Sequence, residues 1–239
     1  MLPQPVSHTE SLGHSRPSRG VSLRVRPPAA LANGTKHGSL VQSMQLMGAT
    51  MSFARNSEIF GENETADYVY AVVSGSVRTY KILNDGRRQI GGFYVPGDIF
   101  GLEFTEAHTF SAEAISDAKV IVVKRSALNA LAARDPSIGH ELFTVTGREL
   151  RRAQGHILLL VKSAQERVAS FLLEMAAQAH TENILELPMS RQDIADYLGL
   201  TIETVSRTLT GLENAAAIEV PTSRRIVLRN RSMLSRLNS

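Results

Sequence analysis

Residues 190–207 are the segment that most constrains what this 239-residue chain can fold into. The pattern predicts two short helices joined by one tight turn. Ser190 can cap the first helix, with Asp193 three residues later as its partner in a capping box. Gly199 can adopt the positive φ that the turn needs, and Thr201 can cap the second helix. These features predict a helix-turn-helix, and double-stranded DNA is therefore the expected partner.

The second helix of this motif has two different faces. Its predicted buried face consists of Val205, Leu209 and Leu212. On the other face, Glu203, Ser206 and Arg207 are three and four positions apart near the helix N-terminus, so they project together. Arg207 can bond guanine as a fork, and Glu203 can accept a hydrogen bond from the cytosine amino group. The alternative is a plain helical hairpin with a surface pair between Glu203 and Arg207.

Composition limits the remaining possibilities. The chain has no cysteine, which excludes disulfides and thiolate-bound metal or iron–sulfur sites. No apolar run approaches a membrane span and the N-terminus lacks a signal-peptide core, so a cytoplasmic protein without membrane contact is expected. The net charge is +3, but residues 1–40 hold five basic residues and one acidic residue, which leaves −1 for the rest. Attraction to DNA must therefore come from local arrangement.

The chain divides into a tail, a strand-rich region, a long helix and the DNA-binding region. Residues 1–40 are rich in Pro, Ser, Gly and Arg, which predicts a disordered tail. Residues 41–134 show short strands and turn signals typical of a β-roll, including a predicted type I′ hairpin turn at Asp85-Gly86. A long helix is predicted over 135–162 and a winged helix-turn-helix domain over 163–239. The predicted fold class is α+β.

The long helix carries a narrow apolar seam with a repeat of three and four residues. Such a seam favours a coiled-coil partner, and a homodimer is predicted, although one long helix packed on its own roll is the alternative. The seam consists of Phe143, Thr146, Leu150, Ala153, Ile157, Leu160 and Ala164, and the residues assigned to dimerisation are Phe143, Leu150, Ile157 and Leu160.

After the helix-turn-helix, the sequence predicts a two-stranded wing. Its strands are Ala217–Val220 and Arg225–Leu228, joined by a turn at 221–224. Five arginines follow the recognition helix, where DNA phosphates are expected. These arginines are Arg224, Arg225, Arg229, Arg231 and Arg236.

The whole layout resembles the cyclic-AMP-receptor/FNR superfamily of bacterial transcription regulators. Residues 187–207, 84–90 and 108–113 resemble its FixK branch closely, and the resemblance covers roughly residues 45–230. It implies a homodimeric activator that reads a TTGA…TCAA palindrome, works with RNA polymerase, and controls microoxic respiration or nitrogen-fixation genes. Glu203, Ser206 and Arg207 match the base-contacting positions of the family. The further DNA contacts assigned are Ile202, with a thymine methyl group, and Ser190, Arg191, Thr201, Thr204 and Arg224.

Departures from the family pattern indicate which small ligands the roll can bind as a sensor. Cyclic-AMP receptors have a Gly-Glu pair in the roll, and in this chain Leu102 separates the two residues. Those receptors also have an Arg-Ser pair further on, and in this chain Phe110 takes the place of that Arg before Ser111. Without that cation a cyclic phosphate is poorly held, so cyclic AMP is not expected. Haem ligation by His108 is possible in chemical terms, but a surface-loop histidine is the expected role. No cofactor and no metal are therefore predicted, and control is expected to follow protein abundance.

Three alternatives stay open. A related regulator can be gated by an unrecognised small ligand in the roll. An enzyme is a different class, but the sequence has no Gly-x-Ser-x-Gly, no His-Glu-x-x-His and no phosphate-binding Gly-Lys-Ser/Thr loop. A protein-interaction module is the third, and the pairing of Glu203 with Arg207 on one face argues against it.

Overall fold

The computed structural model describes residues 38–237, and most of the predicted tail lies outside that range. The helices within it are α1 (Gly38–Met47), α2 (Arg125–Arg134), α3 (Pro136–Leu160), α4 (Ala164–Gln178), α5 (Arg191–Leu198), α6 (Ile202–Asn214) and α7 (Arg231–Leu237). The strands within it are β1 (Ala49–Phe53), β2 (Glu58–Phe60), β3 (Tyr68–Ser74), β4 (Val77–Ile82), β5 (Arg88–Tyr94), β6 (Ile99–Phe100), β7 (Ser111–Ala114), β8 (Ala118–Lys124), β9 (Ile184–Glu186), β10 (Ile218–Glu219) and β11 (Arg225–Leu228).

Strands β1 to β8 form the predicted roll from two antiparallel sheets. One sheet has the order β1-β8-β3-β6 and the other the order β2-β7-β4-β5. Alternate residues of the strands point between the sheets, where aromatic rings such as Phe60, Tyr70 and Phe100 fill the core. The rings of Tyr70 and Phe100 stack with centroids 5.1 Å apart. The roll therefore has its own apolar core.

Helix α1 corrects the predicted start of the roll. The sequence predicts a disordered tail to residue 40 and a strand-rich region from residue 41, but residues 38–47 are helical. Leu40 and Met44, one turn apart, are fully buried against the sheet that contains β8. Burial of these two side chains stabilises a helix whose own sequence carries little helical signal, because packing outweighs propensity in a short helix.

The hairpin between β4 and β5 has a different turn from the predicted type I′. A type I′ turn needs a positive φ at both central residues. Gly86 has a positive φ, at 82°, but Asp85 does not. The Gly86 N–H bonds the Leu83 carbonyl at 2.8 Å, and the Leu83 N–H bonds the Arg87 carbonyl at 2.8 Å. The loop therefore has three residues, and the glycine closes it in the left-handed conformation.

Helix α3 has one buried and one exposed apolar side. Asp135 caps its first turn, and Pro136 occupies the first helical position. The buried side, which includes Ile138 and Val145, packs on the roll. The predicted dimerisation residues are between 38% and 76% exposed, and these are Phe143, Leu150, Ile157 and Leu160.

The predicted seam is one residue too long at its C-terminal end. Helix α3 ends at Leu160, and Ser163 caps α4 through a capping box with Glu166. Ala164 therefore belongs to the next helix. The exposed stripe on α3 ends at Leu160.

The C-terminal region contains α4 to α7 and a three-stranded sheet. The sheet has the order β10-β11-β9, so β9, in the segment that connects α4 to α5, adds a third strand to the predicted two-stranded wing. Helix α7 is an element that the sequence analysis did not predict, and its Leu234 is fully buried in the core beneath α4. Across residues 38–237, no helix combines the length and the apolar character that crossing a membrane requires.

Candidate DNA-binding interface

Helices α5 and α6 form the predicted helix-turn-helix, with both predicted caps in place. The Ser190 hydroxyl accepts a hydrogen bond from the Asp193 N–H at 3.1 Å, and the Asp193 carboxylate accepts one from the Ser190 N–H at 2.9 Å. Gly199 ends α5 in the left-handed conformation, with φ of 61°. The Thr201 hydroxyl accepts from the Thr204 N–H at 3.2 Å and so begins α6. The sequence therefore specifies this motif locally.

The two helices cross over a small, fully apolar contact. Ala195 on α5 is completely buried, and its lack of a long side chain lets α6 approach closely. The α6 side chains in the same core are the three predicted ones, Val205, Leu209 and Leu212. This packing fixes the rotation of α6, and with it the side chains that face outward.

The outward face of α6, here named the recognition face, consists of Glu203, Ser206 and Arg207. All three side chains are exposed. Hydrogen bonds from its own backbone N–H and from the Thr201 hydroxyl lower the pKa of Glu203. Glu203 is therefore ionised at neutral pH, and an ionised carboxylate acts only as a hydrogen-bond acceptor. Ile202 lies beside this face and is partly exposed.

Arg191 and Arg224 flank the recognition face. Arg191 lies beside Ser206 and Glu213 in a small cavity of about 180 Å³. Its Nη1 is buried without a hydrogen-bond partner in the described part of the chain. Burial lowers the pKa of Arg191, although an arginine stays charged. Arg224 is exposed at the turn of the wing. Both cations lie on elements that border α6.

The predicted basic cluster after α6 is largely occupied by contacts within the domain. Arg225 pairs with Glu186 at 3.3 Å, and Arg229 pairs with Glu219. Arg231 donates to the carbonyl oxygens of Thr181 and Glu182, which attaches α7 to the end of the connector. These three arginines therefore already have partners within the domain, and their contact with phosphates stays a prediction.

The roll and α3 enclose a cavity of about 640 Å³. Phe110 lines it, at the position where the family resemblance calls for an arginine. The cavity lining within the described part of the chain includes one arginine, Arg152. Its guanidinium group pairs with the Glu149 carboxylate at 3.1 Å. A phosphate in this cavity would have to compete with that carboxylate for its cation.

The prediction that His108 is a surface-loop residue is wrong. His108 is 2% exposed, and its ring stacks on Phe60 with centroids 3.6 Å apart. Its Nδ1 lies 3.4 Å from a carboxylate oxygen of Glu103. Burial here depends on β2, which is far away in sequence, so local composition does not reveal it. Within residues 38–237, no group of three His, Asp or Glu side chains is arranged to hold a metal ion.

Three residues without a role predicted from the sequence meet Asp193 across the boundary between the roll and α5: Arg78, Arg88 and Asp196. Arg78 donates to Asp193 at 2.8 Å, and Arg88 contacts both Asp193 and Asp196 at 2.7 Å. A signal was present, because residues 84–90 belong to a stretch that resembles the FixK branch. The contact itself joins residues more than a hundred positions apart.

A roll of the cyclic-nucleotide-binding kind followed by an exposed helix-turn-helix defines a DNA-binding transcription regulator. Residues 50–135 match the family described as the cyclic nucleotide-binding domain, and residues 166–237 match the Crp-like helix-turn-helix domain. The chain belongs to the CRP/FNR family of transcription regulators, in its FixK branch.

Similar proteins agree with this assignment. The nitrogen fixation regulation protein FixK of Azorhizobium caulinodans is 50% identical over 236 residues, which cover 96% of this chain and 94% of that protein. The transcriptional activator protein Anr of Pseudomonas protegens is 38% identical, covering 64% of this chain and 65% of that protein. The solved structure of FixK2 from Bradyrhizobium japonicum matches with a TM-score of 0.77 and 50% identity, covering 81% of this chain and 98% of that structure.

Proposed function

We propose that this chain is a cytoplasmic transcription activator that binds a TTGA…TCAA palindrome as a homodimer and needs no small effector. The observation that carries the proposal is the recognition face, exposed at the N-terminal end of α6. The name of the A. caulinodans relative, a nitrogen fixation regulation protein, supports nitrogen-fixation genes as targets, and that of the P. protegens relative, a transcriptional activator, supports activation. Genes of microoxic respiration are the other proposed targets.

The proposed half-site contains one G·C pair, which suits Arg207 and Glu203. Arg207 would bond guanine O6 and N7 as a fork, and Glu203 would accept from the cytosine amino group. Ile202 lies where it can meet a thymine methyl group. The contacts proposed for the phosphates come from Ser190, Arg191, Thr201, Thr204 and Arg224, at helix caps and on the wing.

The exposed stripe on α3 supports the homodimer. Solvent exposure of several large apolar side chains in one helical row is unfavourable for a single chain and suits a parallel partner helix. Two copies joined along this row would present two recognition faces about one DNA turn apart. We assign effector-like, dimerising and DNA-binding roles to residues 41–134, 135–162 and 163–239, and RNA polymerase is the further partner.

Phe110 in the roll cavity supports independence from cyclic nucleotides. The aromatic ring occupies space without supplying the charge that a phosphate needs. A second candidate function is a regulator gated by another small ligand, and the 640 Å³ volume of the cavity favours it. The two candidates differ in whether the purified protein binds its operator unaided.

A gel-shift titration on a palindromic probe tests the proposal, with a scrambled probe of equal composition as control. We expect tight binding of the palindrome, weak binding of the scrambled probe, and no change on adding cyclic AMP. Equal binding of both probes would contradict sequence-specific readout. A large gain in affinity with cyclic AMP would contradict effector independence.

A further inference from the structure

We propose that Arg78 and Arg88 of the roll are positioning residues, which hold the helix-turn-helix in its DNA-competent orientation through Asp193 and Asp196 of α5. These four residues are named the interdomain ion network. Both arginines donate to the same Asp193 oxygen, Arg78 from 2.8 Å and Arg88 from 2.7 Å. Arg88 also donates through Nε to Asp196 at 2.7 Å. The network joins β4 and β5 directly to the first helix of the motif.

Burial makes this network selective for one geometry. The side chains of Arg78 and Asp193 are 9% and 5% exposed, so neither charge can regain its water while the contact is closed. A buried charge that loses its partner is strongly unfavourable, so a tilt of α5 that separates the pair is resisted. Arg78 is itself held in the roll, because it also donates to Glu113 of β7 at 3.0 Å.

Arg88 is the more accessible part of the network. Burial on its own would lower the pKa of Arg88, but hydrogen bonds and charges from Asp196 and Asp193 raise it overall. Arg87, the preceding residue, pairs instead with Asp85 inside the exposed hairpin loop. Two consecutive arginines thus have different roles, and Arg87 provides a matched control.

The other end of α5 is held as well. The Tyr197 carbonyl lies 2.7 Å from His156 Nε2 on α3, and the Leu198 carbonyl accepts from Arg167 on α4 at 2.9 Å. Only three residues separate α5 from α6. The direction of α6 therefore follows from the way in which α5 is anchored to the roll and to α3.

The anchored orientation leaves the recognition face free. Glu203, Ser206 and Arg207 are exposed, while Asp193 and Asp196 on α5 turn towards the roll. The network thus holds the arrangement in which DNA can reach α6. The effect on affinity rests on the proposed function, whereas the effect on orientation does not.

The test compares Arg88→Gln with Arg87→Gln in the full-length chain, because each removes one positive charge from the same hairpin. Since the chain has no cysteine, spin labels can be attached at Asn129→Cys on α2 and Asn214→Cys on α6, both exposed. Labelled chains diluted in unlabelled chains report the distance within one subunit. We expect Arg88→Gln to broaden that distance distribution. We also expect it to weaken palindrome binding about tenfold, which is the loss expected when about a tenth of the molecules have the orientation that can bind DNA.

Arg87→Gln should match the parent chain in both measurements. Asp196→Asn combined with Arg88→Gln should reduce the free energy of palindrome binding by less than the sum of the two single changes. This non-additivity distinguishes a direct pair from a general loss of structure. An unchanged distance distribution in Arg88→Gln, or tighter DNA binding, would overturn the inference. If the parent chain ignores the palindromic probe, the proposed function fails, and the label distances still decide whether the network positions the domain.

Discussion

The Ser190 hydroxyl donates a hydrogen bond to Oδ2 of Asp193 at 2.8 Å, while Oδ1 of the same carboxylate accepts from Arg78 at 2.8 Å. One carboxylate therefore completes a helix cap with one oxygen and joins two domains with the other. The first residue of the DNA-binding motif is thus linked to the roll through a single side chain.

Replacing Ser190 by Asp should destabilise the protein, although Asp is a good cap for an isolated helix. The new carboxylate would lie against the Asp193 carboxylate, and like charges at that distance repel. We expect Ser190→Asp to lower the free energy of unfolding at pH 7 by about 1–3 kcal/mol, measured by urea denaturation. Ser190→Asn, a neutral cap of the same size, should keep most of the stability. Equal stability of the two variants would contradict the expected repulsion.

Arg207→Ala should weaken binding to the palindrome by about 1–3 kcal/mol per half-site and relax the preference at one G·C pair. Arg207→Lys keeps the charge but not the fork, so it should lose the preference at that pair while retaining affinity for random DNA. Fluorescence anisotropy on probes with every base at this position measures both effects. A loss that is equal on specific and random DNA would mean that Arg207 contacts only phosphate.

Leu150→Glu combined with Ile157→Glu should produce monomers with much weaker operator binding. Charges placed in the exposed row of α3 would face the same charges of a partner helix. Leu158→Glu is the control, because Leu158 is 64% exposed on the same helix but lies outside the row. Sedimentation velocity measures the mass of each variant. A dimer that persists in the double variant would rule out this row as the interface.

Stability should fall as the pH drops below about 6.5, in part because of His156. Burial lowers the pKa of His156 below the ordinary 6.5, although its hydrogen bond to the Tyr197 carbonyl acts in the opposite direction. The unfolded chain then binds a proton at a pH where the folded chain does not, so unfolding becomes more favourable as the pH falls. Urea denaturation between pH 7.5 and pH 5 should show that the free energy of unfolding falls less in His156→Gln than in the parent chain.

The helix-turn-helix could be predicted because its signals are local. The caps at Ser190 and Thr201 and the left-handed Gly199 act within a few residues of the backbone that they stabilise. The apolar positions around these residues repeat with the helical period, and this repeat predicts which face of each helix is buried and which is exposed. The exposed recognition face was predicted for the same reason.

The features that were missed depend on distant residues. His108 is buried because Phe60, 48 positions earlier, stacks on its ring, and the network at Asp193 needs Arg78 from the other domain. Helices α1 and α7 are short, and each is stabilised by one or two buried side chains rather than by a long periodic pattern. Local composition contains little information about such contacts.

If the exposed row on α3 pairs two chains as proposed, it also sets how operator occupancy responds to the amount of protein. If two chains must associate before both half-sites can be filled, occupancy at low concentration rises with the square of the amount of protein. Halving the supply of chains would then lower occupancy about fourfold, so a modest change in synthesis or degradation gives a steep change in transcription without any ligand. A weaker apolar row would move the same steep response to higher protein levels.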